Sequence, residues 1–248
     1  MIKKDAKQEV ERILRAGEKD SIRLRVLGGL AVYLTCPSAV THARLKRSYA
    51  DIDLAGLEQD GSHLGQVFTQ LGYEPDQRFN ALHGRTRMIF FNPGDGSHVD
   101  VFLDRFQMCH SLDLRGRLLE GYLSLTLADL LITKLQIVEM NEKDMKDILA
   151  ILLDHAIGSE ASDRLDLDYF VRLTGNDWGL YTTLSDNLVR SKEHLADFLQ
   201  GNEGVLVGQR VDQILHTMQT APKSLRWRAR ARIGRRLEWY DLPDEVKR

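Results

Sequence analysis

The sequence predicts an α+β protein, with a small mixed sheet and its helices in residues 1–120 and a helical region in residues 121–248. Two observations carry this. Up to about residue 105, segments of period-two apolar alternation interleave with segments of helical spacing, and from Leu123 onward the spacing is mostly helical. A third bounds the answer: 248 residues, 43% hydrophobic and 28% charged, can bury a substantial core, which excludes a disordered chain or a stapled miniprotein.

In residues 5–18, Val10, Ile13 and Leu14 form one apolar stripe amid charges, with Gly17 near the end, so a surface helix is expected. Ile22 to Leu27 alternates apolar and basic residues, a half-buried strand running into Gly28-Gly29 and a helix over Leu30 to Leu34. Asp51 to Ala55 reads as a second strand after a basic loop, and His63 to Leu71 as a helix closed by Gly72. Arg87 to Phe91 and His98 to Leu103 form a hairpin across Asn92-Pro93-Gly94-Asp95-Gly96. Thr126-Leu127-Ala128-Asp129 and Asn141-Glu142-Lys143-Asp144 are helix starts, so two helices meet near Asn141. Trp178 to Tyr181 opens a helix expected to pack on the first half. Leu180 to Leu199 and Val205 to Met218 are amphipathic, with Gly175, Gly201 and Pro222 as separators.

The longest apolar runs, such as Leu149 to Leu153, fall far short of the roughly 20 residues a membrane span needs, and the charged start MIKKDAKQEVER lacks an export segment. A cytoplasmic protein with no membrane partner is expected. Cys36 and Cys109 lack metal-ligand spacing and read as buried reduced thiols. The net charge of −2 excludes an overall polycation but hides a basic end: Pro222 to Arg248 holds nine Lys or Arg against four Asp or Glu.

Asp51 and Asp53 stand two apart in a presumed strand, which sends both side chains to one face about 7 Å apart. Asp166-Leu167-Asp168 repeats the triplet, so spacing alone is not specific, and two solvent-facing acids on an edge strand are the plain alternative. Context sharpens the pattern, because Asp100 sits in another apolar strand and an upstream strand ends in Gly28-Gly29. At about 5 Å and an effective dielectric near 20, each ionised pair repels by roughly 3 kcal/mol. A divalent cation relieves this, and hard oxygen ligands suit magnesium or manganese. Two such ions about 4 Å apart suit nucleotidyl transfer with release of pyrophosphate.

Gly28-Gly29 entering a helix offers backbone amides to phosphate, or is a simple tight turn. Arg44, Lys46 and Arg47 offer charge to a phosphate, or form a solvated basic loop. His98 shares the face of Asp100 and reads first as a packing residue. Lys134 and Asp144, ten residues apart, would lie about 15 Å apart on one helix, so only a corner at Asn141 could bring them together. Lys143 and Asp147 have the spacing of a helix-surface pair. In the basic end, a row of Arg228, Arg232 and Arg235 could contact RNA phosphates with Trp227 or Trp239 stacking, or pair with Asp163, Asp166 and Asp168.

Taken in order, Gly28-Gly29, Arg47-Ser48-Tyr49-Ala50-Asp51-Ile52-Asp53-Leu54, Asp100, Lys134-Leu135-Gln136, and Lys143-Asp144 with Asp147 resemble the nucleotidyltransferase superfamily over about residues 22–155. That fold is shared by DNA polymerase beta, aminoglycoside and lincosamide nucleotidyltransferases, and abortive-infection-type toxins; the antibiotic and toxin-type branches are nearest. The resemblance implies a nucleotidyltransferase core completed by the helical domain, and transfer of NMP from an NTP such as ATP to a hydroxyl or phosphate acceptor. It implies Asp51, Asp53 and Asp100 as ligands of Mg2+ or Mn2+, with Asp100 also helping to deprotonate the acceptor. Gly28, Gly29, Arg47 and Lys134 would bind the nucleotide, Lys134 at its phosphates or base, Asp144 would lie near the acceptor or act as an orienting acid, and Lys134 and Asp144 would join the three acids in catalysis. The acceptor classes are a small molecule, tRNA or protein, and an antitoxin or a second copy of the chain are candidate partners. Leu30 and Tyr49 depart from the pattern, which shifts phosphate contact to backbone amides. The alternatives are a noncatalytic nucleotide- or partner-binding member of the fold, or an RNA-binding protein acting through its basic end.

Overall fold

A computed structural model describes residues 6–49, 51–94, 96–119, 123–158 and 163–242. The expected boundary at 120/121, Ala50 of the basic loop, Asp95 of the hairpin turn and residues 243–248 of the basic end lie outside them. The chain divides into two units. One comprises residues 1–35, 47–107 and 111–126; the other comprises 36–46, 108–110 and 127–248.

In the first unit, α1 (Ala6–Lys19) buries Val10, Ile13, Leu14 and Gly17, the stripe its spacing predicts. β1 (Arg25–Leu27) is shorter than expected, because its last rung is Arg25 opposite Ala55. Before that rung, Ile22 N–H turns back to the Gly17 carbonyl at 2.8 Å. α2 (Gly28–Thr35) then begins on the first glycine rather than at Leu30. α3 (Ser38–Thr41) is a single turn in the second unit. β2 (Ile52–Gly56) starts one residue after Asp51, since its first rung pairs Ile52 with Val99. α4 (Gly61–Gln70), β3 (Glu74–Pro75) and α5 (Gln77–His83) follow. The hairpin strands β4 (Arg87–Phe91) and β5 (His98–Leu103) match their expected limits, and β6 (Arg105–Gln107) pairs with β7 (Ser111–Asp113).

The main sheet has the order β1-β2-β5-β4-β3, with β2 and β5 parallel and the other pairs antiparallel, so it is mixed as predicted. Alternation gives it two faces. One carries Leu54, Phe90, Val99 and Val101, all fully buried, with Phe68 of α4 stacked on Phe90 at 4.1 Å. The other carries Leu27, Asp53, Ile89, His98 and Asp100, by the register of the rungs.

The second unit is helical: α6 (Leu127–Leu135), α7 (Glu142–Asp154), α8 (Leu167–Thr174), α9 (Trp178–Glu193), α10 (Leu195–Phe198), α11 (Gly201–Thr220) and α12 (Leu225–Ile233). Asn141 forms the capping box that its sequence suggests, and Asp166, Asp177 and Ser224 cap α8, α9 and α12. The expected helix from Leu180 to Leu199 breaks at His194, where φ −93° and ψ 6° leave the helical region. Val207, Val211, Ile214 and Met218 are the buried stripe of α11, which packs with α9 on α7 and α8. Arg210 Nη1 donates to the Leu152 and Leu153 carbonyls at 2.7 and 2.9 Å, satisfying acceptors that the end of α7 leaves open. Cys36 and Cys109 are both buried, as expected. Among the described residues no helix is long and apolar enough to cross a membrane.

Candidate functional site

The polar sheet face is built by register. Asp53 pairs with Leu27 on one side and with Asp100 on the other, which puts its side chain beside the start of α2 and in the same row as Asp100. Gly28 has φ +69°, and a Cβ there would run into the Asp53 carboxylate. A Cβ on Gly29 would run into the Arg47 guanidinium. Gly28 is therefore required by its backbone and by the anion beside it, whereas the space at Gly29 is taken by the far end of a cationic side chain. Arg47 lies 3.8 Å over the Tyr49 ring and donates from Nη1 to the Ser48 carbonyl at 2.9 Å. Tyr49, 4% exposed and packed on Tyr33, thus forms a shelf for Arg47. Leu30 is a core residue, 1% exposed.

Asp100 is 3% exposed and accepts a 3.0 Å hydrogen bond from Arg87 Nε, so part of its charge is compensated by a residue that the sequence reading did not select. The signal was present. A hairpin pairing Phe91 with His98 puts Ile89 opposite Asp100 and Arg87 two residues along on the same face. Arg87 is braced over the Phe102 ring at 4.9 Å and the Phe79 ring at 5.7 Å. His98 is nearer to the acids than a packing residue needs to be. Its Nε2 lies 3.7 Å from Asp51 Oδ1 and 3.7 Å from Asp100 Oδ2, too long for hydrogen bonds, and that nitrogen is buried with no hydrogen-bond partner among the described residues. The two carboxylates flanking it differ in exposure, with Asp51 at 55% and Asp100 at 4%.

Among the described residues no group of three or more His, Cys, Asp or Glu side chains is gathered tightly enough to form a metal centre. The carboxylate oxygens of Asp53 and Asp100, which share a rung, are nevertheless the donor type that a hard divalent cation takes.

In the helical unit, the corner at Asn141 brings Lys134 and Asp144 together. Lys134 Nζ lies 3.1 Å from Asp144 Oδ1 and 2.9 Å from Asp147 Oδ2. Asp144 Oδ2 also accepts from the Asn141 backbone N–H at 3.5 Å, closing the capping box. The expected Lys143–Asp147 surface pair is corrected, because the Asp147 side chain is fully buried and faces Lys134. Arg44 is corrected too: its Nη1 donates to the Asp197 carbonyl of α10 within the helical unit.

Among the described residues no ion pair joins the basic end to Asp163, Asp166 or Asp168. Arg235 pairs with Asp186 at 2.7 Å, and Asp166 is occupied as the cap of α8. Arg230 donates to the carbonyls of Gly234, Leu237 and Glu238. Trp178 begins α9 as expected, and the helices it joins, α6, α8, α11 and α12, belong to its own unit.

No protein-family model matches the chain, and no curated protein matches it at a significant level. Among solved structures it is similar to the lincosamide antibiotic adenylyltransferase LnuA, lincomycin-bound, at 14% identity and a TM-score of 0.42, covering 59% of this chain and 96% of that one. It is also similar to the antibiotic-resistance factor ANT(2'')-Ia in solution, at 14% identity and TM-score 0.39, covering 58% and 83%. A crystal structure of ANT(2'')-Ia in complex with adenylyl-2''-tobramycin gives 13% identity and TM-score 0.39, covering 58% and 86%.

Proposed function

We propose that the polar sheet face is a nucleotidyl-transfer centre that moves NMP from an NTP to a hydroxyl or phosphate acceptor and releases pyrophosphate. The observation that carries this reading is the start of α2, where the Asp53 carboxylate lies on Gly28 and the Arg47 guanidinium on Gly29, one rung from Asp100. Amides at the helix start and Arg47 bind the triphosphate. Asp51, Asp53 and Asp100 would hold Mg2+ or Mn2+, which would supply neutralisation of phosphate charge when bound. Arg87 fixes the rotamer of Asp100, which takes the proton of the acceptor hydroxyl. Within the helical unit, Lys134 is held by Asp144 and Asp147, and its role toward nucleotide is tested separately by substitution.

The test incubates the chain with each alpha-labelled NTP, Mg2+ or Mn2+, and separate pools of tRNA, protein and small hydroxyl compounds. Label retained in one pool, with pyrophosphate release falling at least about a hundredfold in Asp53→Asn, is the expected result. A fully active Asp53→Asn overturns the assignment, and saturable NTP binding with no label in any pool makes the protein a noncatalytic binder.

A further inference from the structure

All three tryptophans of the chain line one cavity of about 370 Å³ in the helical unit, between the start of α9 and α12. Trp178 is nearly buried and meets Trp239 edge to face at 5.8 Å. Trp227 is held from outside by Tyr181, ring to ring at 5.4 Å, and by Lys223 Nζ at 5.6 Å from its centroid. Its indole N–H is buried with no acceptor among the described residues.

Charge on the wall is positive. Arg230 sits 4.6 Å over the Trp178 ring and spends its hydrogen bonds on neutral carbonyls, so no carboxylate cancels it there. Arg226 is exposed on the same wall and has no ion pair among the described residues. The one acid of the lining, Asp177, is engaged at Oδ1 by the Leu180 N–H as the cap of α9. Two guanidinium groups therefore face one carboxylate across indole rings, a lining that rewards a flat ring carrying a negative group. The volume lies at the small end of ligand sites, room for a single ring system.

The geometry points to a binding site for a small aromatic anion: the ring lies among the three indoles and the anionic group reaches Arg226 and Arg230. The anion is a carboxylate or a phosphate, and the two sources are separated by experiment. The site is independent of the sheet face and of the function proposed for it.

Because every tryptophan lies on the cavity, intrinsic fluorescence of the full chain reads its occupancy. The probes are benzoate and adenosine 5′-monophosphate, with benzamide as a ring without charge and inorganic phosphate as charge without a ring. Saturable quenching by benzoate, by the nucleotide or by both, with none from the controls at equal concentration, is expected. Arg226→Ala and Arg230→Ala should each weaken it about tenfold, with unchanged far-ultraviolet circular dichroism. Quenching by benzoate alone identifies carboxylates as the ligands, and quenching by the nucleotide alone identifies phosphates. No saturable response to either probe overturns the proposal, as does binding that survives both substitutions. Nucleotide binding lost in Arg47→Ala but kept in Arg226→Ala belongs to the sheet face and also overturns it.

Discussion

Gly28 and Gly29 are neighbours with different obligations. At Gly28 an alanine would take a left-handed conformation and displace Asp53, so Gly28→Ala should lower unfolding free energy by about 1–2 kcal/mol and suppress pyrophosphate release. At Gly29 the obstacle is the mobile end of Arg47, so Gly29→Ala should change stability by less than about 0.5 kcal/mol while raising the NTP KM. Urea titration and initial rates on the two variants separate these effects. His110 gives a prediction in pH. Burial pushes its imidazole below the ordinary value, against the pull of Asp177 and Asp241, and its Nε2 meets Thr183 Oγ1 at 2.8 Å. The folded chain then binds fewer protons than the unfolded one. The contribution of His110 is full above the unfolded value of about 6.5 and is lost as pH falls toward the lower folded value. Between about pH 7.5 and 5.5 the urea midpoint should fall further in the parent chain than in His110→Gln. The acids and the glycine pair were legible in the sequence because strand alternation and glycine permissiveness are local rules. Arg87 required counting across the hairpin, and the orphaned nitrogen of His98 depends on side-chain placement that alternation leaves open.

Helix α7 shows how a local motif can hide a longer-range obligation. The capping box at Asn141 was readable, since its polar side chain and the acid three residues on are a local pattern, and Asn141→Ala should cost about 1 kcal/mol of unfolding free energy. That Lys134 reaches across the corner to the fully buried Asp147 was not readable, because helix spacing suggested Lys143 instead. Lys134→Met leaves that carboxylate without its ammonium and should cost about 3 kcal/mol by urea titration. If the lysine also binds nucleotide, Lys134→Arg should keep most of the stability and still raise the NTP KM. The break at His194 escaped the reading for a similar reason, as apolar spacing runs on through Leu195 and Leu199 while the backbone turns.

The molecule as a whole is less sequential than its composition suggests. The change from mixed to helical spacing near residue 123 was visible, yet the helical unit also draws in residues 36–46 and 108–110, short stretches without enough periodicity to declare their allegiance. Within the first unit, β1 is finished by residues beyond 120: Val26 donates to the Leu123 carbonyl at 3.0 Å and accepts from the Leu125 N–H at 3.0 Å. A fragment ending at 126 should therefore resist urea better than one ending at 120, by about 1 kcal/mol per restored hydrogen bond. Equal midpoints would show that this edge contributes nothing. The interleaved path has an inheritance consequence as well. One recombination break near residue 126 would deliver a new helical region while leaving its two small outlying pieces of the old parent behind, so chimeras made that way begin life mismatched inside a single unit.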